Sequence, residues 1–320
     1  MDSPSSSSSP SSSSSPSSSS ASSGGGGLLP HIIALRPHQW TKNGLVFAAF
    51  FFALGDQGQD VGLQQFVRVC LATALFCLIS SSIYLINDSS DRERDRKHPT
   101  KRFRPIAAGS VKVQTAFVMS AVLAVGSLTA AALLSPKLFA VLATYLVMQI
   151  AYTFYLKRIA LLDVITIALG FILRAVAGAV VINVVISNWL LGCTFLLALF
   201  LGLSKRRHET VVLSHLGGST RVYDIGKISG KLLDRLILGV AILAAFAYSA
   251  YTVWPDTVAK FGSYKLALTI PFVLLGLWRY FFLVYRKEEG GRPEKVLLTD
   301  PPMIGILLAY AAVLLGLFLL

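Results

Sequence analysis

The sequence predicts an all-α integral membrane protein, a bundle of nine transmembrane helices. The chain of 320 residues is 54% hydrophobic and only 14% charged, and its mean hydropathy of +0.65 is too high for an ordinary soluble domain. Apolar runs that approach the roughly 20 residues needed to cross a bilayer core recur along almost the whole chain after residue 40. Lysine and arginine are concentrated in every second connection between these runs.

The elements follow in order from this pattern. Residues 1–27 are almost entirely serine, proline and glycine, and such a segment cannot bury enough apolar surface to offset its ordering entropy. We therefore expect a disordered tail there and one transmembrane domain over residues 28–320. Backbone groups in lipid must be hydrogen-bonded within the protein, so the apolar runs should be helices. Spans are predicted at residues 43–54, 66–86, 112–134, 137–156, 161–182, 188–204, 231–253, 264–285 and 302–320.

The basic residues indicate how the bundle is oriented. The connections that follow the second, fourth, sixth and eighth spans carry twenty lysines and arginines, whereas the intervening connections carry only Lys137 and Lys260. By the positive-inside rule, the basic loops and the N-terminus should face the cytoplasm across the cell membrane. The formal net charge of +13 therefore reflects membrane topology, and we expect no nucleic-acid partner.

The densest charge of the chain lies at 87–109, NDSSDRERDRKHPTKRFRPIAAG, where the second span ends. Asp88, Asp91 and Asp95 are spaced i, i+3 and i+7, which places them on one face of a helix. Like charges on one stripe repel unless a cation lies between them, and Mg²⁺ prefers oxygen ligands and commonly joins carboxylates to substrate phosphates. We predict that these aspartates bind Mg²⁺. The alternative is a helix end whose acids pair with arginines of the same segment, namely Arg92, Arg94 and Arg96.

Polar and basic residues flank this acidic stripe. Asn87 precedes it, and Lys101 and Arg104 follow it between two prolines. Carboxylates that hold a metal and cations that hold oxyanions are the two halves of a diphosphate site. We therefore predict that these flanking residues bind substrate. The positive-inside rule accounts for any one of the cations, but it does not explain why they follow the acids so closely.

The fifth predicted span, IALLDVITIALGFILRAVAGA, contains two charged residues. Asp163 and Arg174 are eleven residues apart, so they share a helix face at a separation of about 16 Å. An arginine at that depth is costly and usually faces a cavity, which favours an anion-binding group in a polar pocket. The alternative is an arginine that binds backbone carbonyls and serves packing. Gly170 and Gly178 should let a neighbouring helix approach closely.

Three further basic residues are candidates for phosphate binding. Lys42 precedes the first span and either reaches the mouth of the pocket or extends to the membrane surface. Lys205 and Arg206 end the sixth span in the segment GLSKRRHE. Membrane topology alone would also explain this pair.

These residues resemble the UbiA superfamily of intramembrane transferases over nearly all of the chain from residue 31 onward. NDSSDRERD fits the NDxxDxxxD motif of the family at the end of the second span. The segments LRPHQWTKNGLVF, DRKHPTKRFRPIAAG, LGFILRAVAGA, LGLSKRRHE and RPEKVLLTDPP look like the decaprenyl-phosphate phosphoribosyltransferase branch. Typical prenyl-transferring members carry a second motif with two or more acids, whereas the matching LLDVITIALG has only Asp163.

The resemblance implies a transferase that moves 5-phosphoribosyl from phosphoribosyl diphosphate to a polyprenyl phosphate and releases diphosphate, a step that feeds cell-wall synthesis in that branch. It implies Mg²⁺ as cofactor, Asp88, Asp91, Asp95 and Asp163 as catalytic residues, membrane lipids as surroundings, and an assembly that could be homo-oligomeric. The nearest rival is a UbiA-type polyprenyltransferase that alkylates an aromatic or other lipophilic acceptor. A transporter or channel lined by Arg174 is the second rival.

Overall fold

The computed structural model describes residues 27–56, 59, 61–159, 161–215, 230–287 and 293–319. Of the tail predicted at residues 1–27, all but Gly27 lies outside these residues. Within them the chain forms helices and no strands. The α-helices are α1 Leu28–Ala34, α2 Ala48–Leu54, α3 Leu63–Ser90, α4 Arg92–Arg96, α5 Pro105–Ala108, α6 Val113–Leu134, α7 Pro136–Phe154, α8 Leu162–Val181, α9 Asn188–His215, α10 Gly230–Val253, α11 Pro255–Phe261, α12 Ile270–Arg286, α13 Pro293–Thr299 and α14 Pro301–Leu319. The 3₁₀ helices are Pro37–Phe47, Lys101–Phe103, Leu156–Arg158 and Tyr264–Thr269.

Eight helical segments of the described chain are long and apolar enough to cross a membrane. They are Leu63–Ser90, Val113–Leu134, Pro136–Phe154, Leu162–Val181, Asn188–Glu209, Gly230–Val253, Tyr264–Arg286 and Pro301–Phe318. These segments match the second to ninth predicted spans, with ends that differ by at most five residues. The protein is therefore an all-helical, multi-pass membrane protein.

The predicted count of nine spans is not confirmed, because the first apolar run is built differently. It begins as the 3₁₀ helix Pro37–Phe47 and continues as α2, which has only seven residues. The polar residues Thr41, Lys42 and Asn43 interrupt the apolar sequence here. The side chain of Asn43 is buried and makes hydrogen bonds inside the bundle.

Two helices form the centre of the bundle. About half of the apolar 18-residue stretch of α3 (50%) and of α8 (56%) is buried inside the protein, compared with 17% of the corresponding stretch in α6 and 11% in α14. The outer helices present large apolar side chains such as Val122 and Leu133 on their surfaces, as expected of helices in contact with lipid. The central helices are also those that carry Asp88, Asp163 and Arg174.

The apolar interior has two main parts. The first lies between the N-terminal segment, α3, α7 and α8, and includes Val46, Phe76 and Leu142. The second joins α8 and α9 to the C-terminal helices, and includes Phe200 and Tyr280. Because α8 contributes to both parts, it connects the two halves of the bundle.

The short elements that follow α3, namely α4, the 3₁₀ helix Lys101–Phe103 and α5, form a compact base at its C-terminal end. Pro105 begins α5, and Gly109, at φ 87°, ends it in a left-handed conformation that suits glycine. The N–H of Val111 donates to the carbonyl of Pro105 at 3.1 Å, and the guanidinium of Arg96 donates to the carbonyl of Ala107 at 3.0 Å. This base holds the charged segment after α3 against the bundle.

Gly178 allows α8 to pack directly on the N-terminal 3₁₀ helix. A Cβ atom at this position would lie 1.9 Å from the carbonyl oxygen of Val46, which is far inside van der Waals contact. The predicted role of Gly178 in close helix approach is confirmed. Gly170 is less restricted, since its Cβ would meet only side chains, at 3.3 Å or more.

We expect Gly178→Ala to destabilise the protein by about 1–3 kcal/mol, the usual cost of overpacking, because a methyl group would push α8 away from Val46. Gly126→Ala in α6 is the matched control, since its Cβ would meet nothing within 4 Å. Thermal unfolding in detergent measures both variants. Equal melting temperatures for the two would contradict the close packing of α8.

Candidate active site

Charged side chains converge where α3 ends. Asp88 lies in the last turn of α3, Asp91 at the break that follows, and Asp95 in α4. The backbone bonds from Asp91 N–H to Asn87 O (2.9 Å) and from Asp95 N–H to Asp91 O (2.8 Å) keep a helical spacing across this break. All three aspartates are buried, with 3–4% of their surface exposed. Buried carboxylates require partners.

Asp88 is held by an arginine from the N-terminal segment. The Nη2 and Nε atoms of Arg36 donate to the two carboxylate oxygens of Asp88 at 2.5 and 3.2 Å. The same guanidinium lies over the ring of Tyr84, 5.1 Å from its centre. A bidentate arginine–carboxylate pair fixes both the distance and the orientation of the two groups.

The backbone of Arg36 is itself unusual. Its φ of 56° and ψ of 57° are left-handed, and the residue that follows is Pro37. A non-glycine residue in this region costs on the order of 1 kcal/mol and persists only where its surroundings impose it. The Arg36 N–H donates to Ile33 O (3.0 Å) and its carbonyl accepts from Gln39 N–H (2.9 Å), so both neighbouring helices hold this conformation.

Arg104 joins two of the aspartates. Its Nη1 atom donates to Asp95 Oδ2 at 2.5 Å and to Asp88 Oδ1 at 3.2 Å. The carboxylates of Asp88 and Asp95 therefore point to the same side, as the sequence spacing predicted. The guanidinium of Arg104 lies where the two negative charges would otherwise repel each other.

Asp91 pairs with a lysine from the other side of the site. The ammonium of Lys157, on the 3₁₀ helix after α7, donates to Asp91 Oδ1 at 2.9 Å and to Asn87 Oδ1 at 3.2 Å. The side chain of Lys157 is only 3% exposed. Arg94 also contacts Asp91, which is the local pairing that the sequence left open as an alternative.

The donor atoms at this centre are of the kind that Mg²⁺ prefers, although arginine and lysine side chains contact the carboxylates in this structure. Among the described residues, no three histidine, cysteine, aspartate or glutamate side chains are placed to hold a metal ion, because the aspartates face arginine and lysine. The donors themselves are buried carboxylates next to the amide of Asn87, and Mg²⁺ prefers such oxygen ligands. The predicted metal ligands Asp88, Asp91 and Asp95 therefore remain a prediction that the donor set supports.

A second charged group lies at the start of α8. Asp163 is 1% exposed; one of its oxygens accepts from the hydroxyl of Tyr152 at 2.7 Å, and the other lies 2.5 Å from Nε of Arg206. Arg206 also pairs with Glu209. Two carboxylates therefore surround the guanidinium that the sequence suggested for phosphate binding.

Arg174 lies apart from both charged groups, inside the bundle. It donates to Asn43 Oδ1 (2.8 Å), to the carbonyl of Gly170 (2.7 Å) and to the hydroxyl of Tyr145 (3.0 Å). Its guanidinium also lies 5.2 Å from the ring centre of Phe76. The donation to Gly170 is the packing interaction that the sequence left open beside the anion-binding interpretation. Both Arg174 and Asp163 reach tyrosines of α7, as expected for residues on one face of α8.

The remaining predicted cations lie on three different elements. Lys42 lies on the 3₁₀ helix Pro37–Phe47, Lys101 on the 3₁₀ helix Lys101–Phe103, and Lys205 within α9 well before its end at His215, and each is half-buried. His98 shapes the turn that carries Lys101, since its Nδ1 accepts the backbone N–H of Thr100 at 3.2 Å. Burial lowers the pKa of His98, and the positive charge of Lys101 lowers it further, so the imidazole stays neutral and able to accept.

Sequence reasoning missed several members of this site. In the sequence, Arg36 and Lys157 resemble any basic residue near a predicted membrane boundary, and Tyr152 and Asn43 carry no signal. Arg36 is 52 residues from Asp88, and Lys157 is 66 residues from Asp91.

These features define a class: a multi-pass helical membrane protein with a paired acid and cation centre at the end of a central span. Comparison with known proteins then identifies the family. Residues 45–299 match the model of the UbiA prenyltransferase family. The chain belongs to this family, and it is a transferase.

Curated relatives carry a more specific name. The chain is 35% identical to the decaprenyl-phosphate phosphoribosyltransferase of Mycobacterium tuberculosis over 283 aligned residues. The alignment covers 87% of this chain and 91% of that protein. A protein of the same name from Mycolicibacterium smegmatis is 43% identical over 190 residues, which span 59% of this chain and 60% of the relative.

Solved structures support the fold. A UbiA homologue from Archaeoglobus fulgidus bound to GPP and Mg²⁺ matches with a TM-score of 0.68 over 91% of this chain and 100% of that chain. Its sequence identity is 17%, so this similarity concerns the fold alone.

The ion pair between Asp163 and Arg206 yields a stability prediction. We expect Arg206→Met to destabilise the protein by about 3–5 kcal/mol, because it leaves buried Asp163 without its counter-ion. The double variant Asp163→Asn/Arg206→Met should recover part of this loss, since no buried charge at position 163 then stays unpaired. Thermal unfolding in detergent measures both. Arg158→Gln is the control, since Arg158 is exposed; an Arg206→Met variant as stable as this control would refute the structural role of the pair.

Proposed function

We propose that the protein transfers a 5-phosphoribosyl group from phosphoribosyl diphosphate to a polyprenyl phosphate in a Mg²⁺-dependent reaction. The main support for this proposal is the buried centre at the end of α3, where carboxylates that suit a metal ion lie beside cations that suit phosphate. The names of relatives that match up to 91% of their own length support the choice of substrates. The basic loops on one side of the bundle support an active site at the cytoplasmic face of the cell membrane.

In this proposal each group of the centre has a distinct task. Asp88, Asp91 and Asp95 would hold Mg²⁺, and the bound ion would supply Lewis-acid stabilisation of the charge on the departing diphosphate. Arg36, Arg104 and Lys157 bind phosphate oxygens. Further contacts to the substrates come from Asn87, Lys42, Lys101 and Lys205. Asp163 positions the C-terminal half of α9 through Arg206. Arg174 supports the inner wall, because its donors face Asn43, Gly170 and Tyr145.

The transfer step follows from this arrangement. The bond between the ribose C1 and the diphosphate oxygen breaks, and its electron pair leaves with the diphosphate. An oxygen of the lipid phosphate forms the new bond to C1, which has become oxocarbenium-like. This oxygen is already ionised near neutral pH, so the step requires no general base. The side chains therefore contribute by orienting the two anionic substrates and stabilising charge.

A second candidate is the transfer of a prenyl group to an aromatic or other lipophilic acceptor, which the description of the matching family favours. It would use a prenyl diphosphate at the same metal site. The single acid in LLDVITIALG, paired here with Arg206, speaks against it, because typical prenyl-transferring members have two or more acids there.

The identity of the consumed diphosphate tests the proposal directly. Purified protein in detergent with polyprenyl phosphate and Mg²⁺ should convert radiolabelled phosphoribosyl diphosphate into a lipid-soluble product, and a chelator should stop the conversion. Parallel incubation with a labelled prenyl diphosphate and aromatic acceptors should give no product. If only the prenyl label is consumed, the second candidate is correct.

Replacement of the aspartates tests the metal site. We expect Asp88→Asn and Asp91→Asn each to lower the rate of diphosphate release about a hundredfold or more, because metal stabilisation of a leaving group is worth several kcal/mol. Glu93→Gln is the matched control in the same segment, since the Glu93 side chain is 74% exposed and its ion pairs lie at the surface. Equal activity of the Asp88 variant and this control would remove Asp88 from the mechanism.

A further inference from the structure

The carboxylates of the metal-binding motif already hold cations of the chain itself. Asp88 binds Arg36 and Arg104, and Asp95 shares Arg104. Asp91 binds Lys157 and Arg94. Among the described ion pairs, these three carboxylates thus face four cations, so each carboxylate is already neutralised before any ligand arrives.

The pairing bears on how the metal ion and the diphosphate bind, an inference that rests on the proposed function. We propose that Arg36, Arg104 and Lys157 act as exchangeable counter-ions: they neutralise the aspartates in the free protein and transfer to phosphate oxygens when a metal diphosphate binds. The metal ion and the diphosphate then bind as a unit, and each binds weakly without the other.

Electrostatics favours this coupling. A divalent cation that approaches the aspartates alone would meet the guanidinium groups of Arg36 and Arg104 at close range. In a buried site such repulsion is only weakly screened by solvent or salt. A diphosphate brings several negative charges, which give the displaced guanidinium and ammonium groups new acceptors. The exchange thereby avoids leaving any charge unpaired in the interior.

The exposure of the side chains agrees with this exchange. The side chains of the aspartates are 3–5% exposed and that of Lys157 is 3% exposed, whereas those of Arg36 and Arg104 are 17% and 27% exposed, so the two arginines are the cations that an anion reaches from solvent. The two arginine side chains therefore reach further towards the solvent side of the centre than the carboxylates do. An anion that enters from that side reaches the arginines first, and their withdrawal from the carboxylates uncovers the oxygens that would hold the metal.

The test measures metal binding without any turnover. Purified protein in detergent is placed in equilibrium dialysis with radioactive Mn²⁺ as a substitute for Mg²⁺, with and without inorganic diphosphate. Complexes of Mn²⁺ and diphosphate in solution equalise across the membrane, so the excess on the protein side reports bound metal. Diphosphate should raise the retention of Mn²⁺ by wild-type protein at least about tenfold, a coupling typical of linked sites.

Arg104→Gln supplies the decisive comparison. Loss of one competing cation should strengthen the binding of Mn²⁺ alone by about tenfold, and should weaken the enhancement by diphosphate. Arg102→Gln is the matched control with the same charge change two residues away, since Arg102 is exposed and stacks on Phe103. Arg36→Gln is a second variant for the case that Arg104→Gln does not fold.

The outcomes separate the two proposals. If the arginine variants bind Mn²⁺ alone no better than Arg102→Gln does, the exchange of counter-ions is refuted, whatever the reaction. If Asp88→Asn and Asp91→Asn retain Mn²⁺ as wild-type protein does, these aspartates are not the metal ligands and the proposed function loses its metal site. A gain for the arginine variants together with a loss for the aspartate variants supports both proposals.

Discussion

The pairing of buried aspartates with arginine and lysine is the constraint on which the rest of the structure depends. Asp88, Asp91 and Asp95 stand at the end of a central membrane helix, where isolated carboxylates would be very unfavourable. Their partners come from the segment before the 3₁₀ helix Pro37–Phe47, from the base that follows α3, and from the 3₁₀ helix after α7. The centre therefore holds together parts of the chain that no single helix could bring into contact.

The surrounding elements make sense as supports for these partners. The left-handed backbone of Arg36 turns its side chain towards Asp88, and the short helix α5 between Pro105 and Gly109 follows directly after Arg104. Gly178 lets the N-terminal 3₁₀ helix lie against α8, and Asn43 of that helix accepts from Arg174. Local strain at Arg36 and close packing at Gly178 thus serve one purpose, the precise position of the N-terminal segment.

Much of this fold could be predicted from sequence, because hydropathy determines which runs lie in lipid. Eight spans and the shared side of Asp88 and Asp95 follow from apolar length and helical spacing. The 3₁₀ helix Pro37–Phe47 could not be predicted, since hydropathy does not distinguish i+3 from i+4 hydrogen bonding. Nor could the partners Arg36 and Lys157, because pairing between residues 52 and 66 positions apart depends on how helices pack.

The number of cations that contact the three aspartates also bears on the choice between the two candidate reactions. A prenyl diphosphate presents one anionic group to the site when its aromatic or other lipophilic acceptor carries no charge. Phosphoribosyl diphosphate carries a further phosphate on its ribose, and a polyprenyl phosphate adds another, so this pair requires more cations close together. Among the described ion pairs, the three aspartates at the end of α3 already contact four cations. Such a distribution suits two phosphorylated substrates better than one, because each added phosphate needs donors that the first has not taken.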